Sequence, residues 1–134
     1  MSDKVTGTFD VQLHAAPADT YTDSTTMGRM TLDKQFHGDL EGTSKGQMLT
    51  GGTVATGSGV YVAVEKVTGS LKGLSGSFIL HHTGIMDKGA QQLMITVVPG
   101  SGTGQLVGLT GTMGIDVKDG KHFYGFEYAI AAKP

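Results

Sequence analysis

Between residues 69 and 78 the chain reads Gly69-Ser70-Leu71-Lys72-Gly73-Leu74-Ser75-Gly76-Ser77-Phe78. The same Gly-x-Leu-x-Gly template occurs twice more, as Gly38-Asp39-Leu40-Glu41-Gly42 and as Gly104-Gln105-Leu106-Val107-Gly108. Glycine adopts a positive φ without steric cost, so this template followed by alternating residues is typical of a tight bend that leads into a strand. The three copies predict recurring strand corners in one all-β domain.

The composition and patterning favour a single β-rich domain over residues 1–134. The chain has 22 glycines and only 3 prolines, together with many Val, Ile, Thr, Tyr and Phe residues, which favour strands. Alternation with a period of two runs from end to end, and no segment carries the apolar stripe of a helix. We predict eight strands, over about residues 5–14, 27–36, 38–50, 53–67, 74–85, 91–99, 106–117 and 121–132.

Eight short antiparallel strands form either a sandwich or a closed barrel. Closure removes unpaired strand edges, and glycines along the strands supply the corners that a small barrel needs. We therefore predict a single eight-stranded antiparallel β-barrel, whose interior holds side chains or one small ligand. The polar loop of residues 15–26 is long enough to act as a flap over an opening, and Asp119-Gly120 predicts a type I′ hairpin turn.

The charge and the residue types narrow the classes of partner. The formal net charge is −2 without a basic stripe, which argues against a nucleic-acid partner. The chain has no cysteine, which excludes disulfides and thiolate chemistry. It shows neither a signal peptide nor an apolar run of membrane-spanning length, so we predict no membrane partner and a cytoplasmic location. His37 and Asp39 share a strand face, but two ligands do not make a site, and we predict no metal and no cofactor.

Alternation also predicts which charged side chains face the barrel interior. On the second strand Lys34 shares a face with Leu32 and Phe36, so the core face carries an ammonium group with it. The fourth strand is ambiguous, because either Glu65 or Lys66 points inward. A buried ammonium group is costly without a carboxylate partner, and this consideration favours Glu65.

The predicted interior combines acid–base groups with aromatic rings, which is the usual composition of a ligand pocket. The catalytic candidates are Lys34, Glu65 and His82. The ligand-binding candidates are Tyr61, Phe36, Leu80, Tyr124, Phe126 and Tyr128. Plainer interpretations stay open: Lys34 could extend its ammonium to water at a barrel end, His82 could be a satisfied core histidine, and the tyrosines could be core rings.

One further segment matches the sequence pattern of a catalytic motif. The segment Gly42-Thr43-Ser44-Lys45-Gly46 matches the G-x-S-x-G nucleophile elbow. The elbow requires a turn from a strand into a helix, and no helix is predicted after these residues. We interpret the match as chance.

One long run and four short motifs are specific enough to compare with known families: the run Asp33-Lys34-Gln35-Phe36-His37-Gly38-Asp39-Leu40-Glu41-Gly42-Thr43-Ser44-Lys45-Gly46, and Gly76-Ser77-Phe78, Ser101-Gly102-Thr103-Gly104, Leu109-Thr110-Gly111 and His122-Phe123-Tyr124. With these residues the chain resembles a family of small, mostly bacterial proteins, domain-of-unknown-function family 3224. The resemblance extends from Gly7 to Tyr128 and implies an eight-stranded barrel of the allene oxide cyclase and dirigent type. Proteins of that larger class steer a reactive small molecule inside an apolar barrel, but none of their functional motifs transfers to this sequence.

Our leading hypothesis is a barrel that binds a small apolar or aromatic molecule in its interior. If it is an enzyme, it is a cofactor-free isomerase or cyclase, or a lyase-like proton-transfer catalyst, in which Lys34 and Glu65 polarise or deprotonate and His82 shuttles a proton. The alternatives are a carrier without turnover and a structural oligomer with a packed interior. A homo-oligomer is compatible with such a barrel, although the sequence shows no exposed apolar stripe that marks an interface.

Overall fold

The protein folds into a closed antiparallel barrel of eight strands. A computed structural model describes residues 2–17, 21–53 and 57–131. The strands are β1 (Asp3–Ala15), β2 (Met27–Gly38), β3 (Leu40–Thr53), β4 (Ser58–Leu71), β5 (Leu74–Asp87), β6 (Ala90–Val97), β7 (Leu109–Lys118) and β8 (Lys121–Ile130). Each strand pairs with the next along the chain, and β8 pairs with β1. The predicted all-β barrel is confirmed, and the sandwich is excluded.

Several strand boundaries differ from the prediction. Thr53 ends β3 instead of starting β4, and β4 begins at Ser58. β6 ends at Val97 because the chain turns at Gly100, which has a φ of 79°. Residues 104–106 form one turn of 3-10 helix, so β7 begins at Leu109. Residues 54–56 and 132, which the prediction assigned to strands, and residues 18–20 of the predicted flap lie outside the described part of the chain.

Three hairpins close with two-residue turns whose residues both have positive φ. Asp119 and Gly120, between β7 and β8, have φ values of 52° and 76°. The turns Lys72-Gly73 and Lys88-Gly89 have the same pattern. Positive φ at both positions is the signature of the type I′ turn, whose twist matches that of the flanking strands. The hairpin predicted at Asp119-Gly120 is confirmed.

One end of the barrel, here called the closed end, is filled by the leucines of the repeated template. Leu40, Leu71 and Leu106 are each at most 1% exposed. They meet because β2, β4 and β6 end there while β3, β5 and β7 begin there. Above them the ring of Phe126 stacks between Phe78 and Tyr128, with centroid distances of 5.8 and 5.4 Å. The half of the barrel next to the closed end is therefore a packed core.

The opposite end, here called the open end, has inward-facing apolar side chains that water reaches. They lie on the same strand faces as buried core residues, but nearer to where β1 ends and β2 begins. Their exposed fractions are 48% for Leu13, 39% for Met86, 44% for Leu93 and 56% for Val117. Met30 and Met48, also inward-facing, are half-buried. The interior thus changes from packed to accessible along the barrel axis.

The barrel wall is incompletely paired between β6 and β7. Only Ile95 with Met113 and Thr96 with Thr112 form ladder pairs there, whereas β7 pairs with β8 along its whole length. Continuing the same register would place Leu93 beside Ile115, but those residues are not paired. This unpaired stretch, here called the seam, covers residues 90–94 and 114–118. The ladder between β6 and β7 is therefore missing on the open-end side of these two pairs.

Candidate functional site

Four polar side chains from neighbouring strands meet inside the barrel. Lys34 lies on β2, Ser44 on β3, Glu65 on β4 and His82 on β5, and their exposed fractions are 8%, 2%, 1% and 4%. The strand register brings them together, because Lys34 lies opposite Ser44 and Gly46 lies opposite Glu65. We call these four residues the polar cluster. It lies between the packed core and the open end.

The structure resolves the ambiguity on β4. Glu65 points into the barrel, while Lys66 is exposed on the outer surface. Gly46 makes room for this arrangement, since a Cβ there would lie 2.7 Å from both Cα and Cβ of Glu65. Real Cβ atoms do not approach neighbouring atoms this closely, so Gly46 is needed for the close approach of β3 and β4 at the site.

Both oxygens of the Glu65 carboxylate are engaged. Oε1 accepts a hydrogen bond from Ser44 Oγ at 2.7 Å, and Oε2 accepts one from Lys34 Nζ at 2.9 Å. His82 Nε2 is in direct contact with Oε2 and forms an ion pair with it when the imidazole is protonated. Burial alone would raise the pKa of Glu65, but the hydrogen bond from His82, the charges of Lys34 and His82, and the Ser44 hydroxyl lower it to about 2. Glu65 is therefore a fixed anion at neutral pH.

His82 connects this anion to the open end. Its Nε2 faces Glu65 and its Nδ1 lies 3.5 Å from the hydroxyl of Tyr61. An ionised carboxylate only accepts hydrogen bonds, so Nε2 carries a proton and, in the neutral ring, Nδ1 has the free lone pair. Burial and the charge of Glu65 raise the pKa of Tyr61, which keeps its phenol protonated. Glu65, His82 and Tyr61 thus form a polar path from the interior toward solvent.

Gly84 sets the position of the Tyr61 ring. The two residues face each other across β4 and β5, and a Cβ at Gly84 would overlap the ring. The ring of Tyr61 lies edge-on to His82, with centroids 6.2 Å apart. Because residue 84 has no side chain, the Tyr61 ring can occupy the space over it, close to His82.

The ammonium of Lys34 stays inside the barrel. Its Nζ lies 5.1 Å from the ring centroid of Phe9 and 5.8 Å from that of Phe36, in addition to its bond with Glu65. Aromatic faces attract cations, so the aromatic layer stabilises this charge from below. Lys34 therefore does not extend to water at a barrel end, the plainer interpretation that the sequence left open.

The remaining predicted site residues lie in the packed half. Phe36, Leu80, Phe126, Tyr124 and Tyr128 are at most 5% exposed. The hydroxyl of Tyr124 accepts a bond from the backbone N–H of Leu40 at 3.0 Å and lies 3.1 Å from the carbonyl of His37, so it fixes the bend between β2 and β3. The structure therefore brings Lys34, Glu65, His82 and Tyr61 together and places the other five in the core.

Ser44 is the member of the polar cluster that sequence reasoning missed. The sequence does predict that Ser44 points inward, because it lies on the same strand face as Leu40 and Met48. It is the serine of the G-x-S-x-G match, but it lies in the middle of β3 and its hydroxyl donates to Glu65. Ser44 thus orients a carboxylate and has no elbow geometry.

The comparisons with known proteins agree with this architecture. A family model described as a protein of unknown function, DUF3224, matches residues 5–128. The chain belongs to the DUF3224 family. A solved structure of a DUF3224 protein with unknown function from Shewanella oneidensis MR-1 is 46% identical, with a TM-score of 0.91. That match covers 98% of this chain and 100% of the other. A search among curated proteins found no match.

The predicted family is thereby confirmed, and the barrel found here is similar to that of another DUF3224 protein. Within the described ranges, this DUF3224 chain contains no helix of the length and apolarity needed to cross a membrane. Nor do the described residues include a cluster of three or more histidine or acidic side chains arranged to hold a metal ion.

Proposed function

We propose that this DUF3224 protein binds a small apolar or aromatic molecule with one polar oxygen in the open half of the barrel. One observation carries the proposal: inward-facing apolar side chains become accessible toward the open end, and below them lies the polar cluster. A mostly apolar concavity with a few convergent polar groups is the usual form of a small-molecule site. The core residues Phe36 and Phe126 would form the wall beneath the ligand.

The residues of the polar cluster suggest a proton-transfer reaction. Glu65 is too weak a base at neutral pH, given a pKa of about 2, so it holds Lys34 and His82 in place. The Lys34 ammonium would polarise the ligand oxygen. His82, through Nδ1 or through the Tyr61 hydroxyl, would remove a proton from carbon and return it elsewhere. Such an isomerisation or cyclisation is redox-neutral and needs no cofactor.

A carrier without turnover is the second candidate. Both oxygens of Glu65 are already hydrogen-bonded, to Lys34 and to Ser44, and this favours a carrier. A carboxylate held in this way can position the Lys34 ammonium group to bind a ligand without taking part in a reaction. The likeness to allene oxide cyclase barrels stays a prediction and does not decide between the two candidates.

The proposal is tested with 2-tetralone, a small aromatic ketone with exchangeable α-protons. Methyl-labelled methionines report its position by NMR, since Met30, Met48 and Met86 face the open half. Met27 and Met94, 49% and 67% exposed on the outer surface, are internal controls. We expect shifts confined to the first three methyls. Shifts at the outer methyls only, or none, would contradict binding in the barrel.

Turnover is measured in the same sample. Exchange of the α-protons of 2-tetralone for deuterium, faster than in buffer, would support the proton-transfer reaction. Binding at the inward methionines without faster exchange would support the carrier.

A further inference from the structure

The outer surface of β3–β6 carries a set of exposed apolar side chains, here called the apolar wall. Its members and their exposed fractions are Leu49 (57%), Val60 (42%), Val62 (45%), Val64 (56%), Ile85 (45%) and Met94 (67%). The expectation from the sequence that no exposed apolar stripe marks an interface is wrong. β4 is apolar on both faces, so alternation alone did not show that its valines lie outside.

The register makes the wall continuous. Leu49 lies opposite Val62, Val62 opposite Thr83, and Thr83 opposite Met94, which gives one row across four strands. Val60 and Ile85 form the adjacent row toward the open end. Facing residues on neighbouring strands have Cβ atoms about 5 Å apart, which places Leu49 beside Val62 and Val60 beside Ile85, with Thr83 between Val62 and Met94. The wall is therefore a patch, in contrast to the scattered apolar residues of an ordinary surface.

The size and neutrality of the wall limit what can cover it. The six residues are between 42% and 67% exposed and lie on four adjacent strands, so one partner surface laid on the wall would cover all of them together. The positions between them are Gln47, His81, Thr83, Gln92 and Thr96, which carry no carboxylate, ammonium or guanidinium group. A charged partner would leave its charges unpaired there, so the wall fits a flat, apolar, uncharged surface.

We infer that the apolar wall of one copy packs against the apolar wall of a second copy about a two-fold axis. A two-fold interface uses the same patch on both chains, and within its borders this wall carries no carboxylate, ammonium or guanidinium group. The charges at its borders support an antiparallel arrangement. Lys45 and Lys66 lie exposed beyond its closed-end border, Asp87 and Lys88 lie beyond its open-end border, and Arg29 lies opposite Leu49 at its β2 edge. Antiparallel packing keeps the two pairs of closed-end lysines apart and sets each pair against Asp87 of the other copy.

The test places a charge at the centre of the wall. Val62→Lys leaves the barrel interior untouched, and Val107→Lys, at a 49% exposed valine just before β7, is the matched control. By light scattering after gel filtration we expect the mass of two chains for the wild type and for Val107→Lys, and of one chain for Val62→Lys. Circular dichroism checks that Val62→Lys keeps its fold, and Leu49→Lys provides a second charged variant.

A cysteine cross-link tests the two-fold axis itself. The chain has no cysteine, so Val62→Cys introduces one thiol per copy. Oxidation is expected to link two copies of Val62→Cys and to leave Val107→Cys largely unlinked. A single-chain mass for the wild type, a two-chain mass for both charged wall variants, or equal linking of the two cysteine variants would overturn the inference.

Discussion

At the scale of single residues, Glu65 combines complete burial with a full negative charge. Its two oxygens accept hydrogen bonds from Lys34 and Ser44 and contact His82, so its charge is balanced inside the barrel. The cluster depends on this one carboxylate, because a buried ammonium group without an anion costs several kcal/mol. Its titration should therefore be visible in the stability of the whole chain.

We predict that the protein loses stability in acid through Glu65. Its folded pKa of about 2 lies below the ordinary value of 4.5, so the stabilisation is complete above pH 5 and is lost as the pH falls toward 2. The pKa difference corresponds to on the order of 3 kcal/mol of unfolding free energy. Urea unfolding between pH 6 and pH 2 follows this loss.

Variants separate Glu65 from the other carboxylates. Glu65→Gln should be less stable at neutral pH and should show a flatter acid dependence, whereas Glu127→Gln, at an exposed position on β8, should behave as the wild type does. An unchanged acid slope in Glu65→Gln would show that other groups cause the loss.

We predict that His82→Gln abolishes proton exchange on 2-tetralone and leaves its binding within a few-fold. The substitution removes the lone pair at Nδ1 but neither the apolar lining nor the Lys34 ammonium. His81→Gln is the matched control, because the neighbouring side chain is exposed on the outer surface. Deuterium incorporation measures the exchange. Equal rates in the two variants would remove His82 from the reaction.

At the scale of elements, the seam is the part of the barrel where neighbouring strands form the fewest ladder pairs. We predict that the amides of residues 90–94 and 114–118 that point toward the seam exchange with solvent at least 100-fold faster than amides in the middle of β3 and β4, because they have no ladder partner. Hydrogen exchange followed by NMR measures this. Equal protection of both regions would mean that β6 and β7 are hydrogen-bonded along their whole length in solution.

The sequence was informative about elements and less so about their ends. Alternation and the Asp119-Gly120 turn predicted eight strands and a hairpin correctly, because both signals are local. It also grouped Lys34, Glu65, His82 and Tyr61 inside the barrel. It could not show that Tyr124 and Phe126 lie deeper, in the packed half, because depth along the axis depends on the register of all eight strands. The missing ladder pairs of the seam could not be predicted from the sequence for the same reason.

At the scale of the whole molecule, the three template leucines seal one end of the barrel. We predict that Leu71→Ala lowers the unfolding free energy by about 2–5 kcal/mol, since it leaves a cavity in the core. Leu74→Ala, three residues further on and 37% exposed, should cost less than about 1 kcal/mol. Thermal or urea unfolding compares them. Equal losses would show that the seal is not specific to the buried leucine.

The sealed end also has a kinetic consequence for the proposed function. A molecule that reaches the polar cluster from the open end has no second exit past Leu40, Leu71 and Leu106. Substrate and product would have to use the same opening one after the other. Any product would then inhibit competitively, and a bound cargo would be replaced only after it had dissociated, at a rate independent of the concentration of its successor.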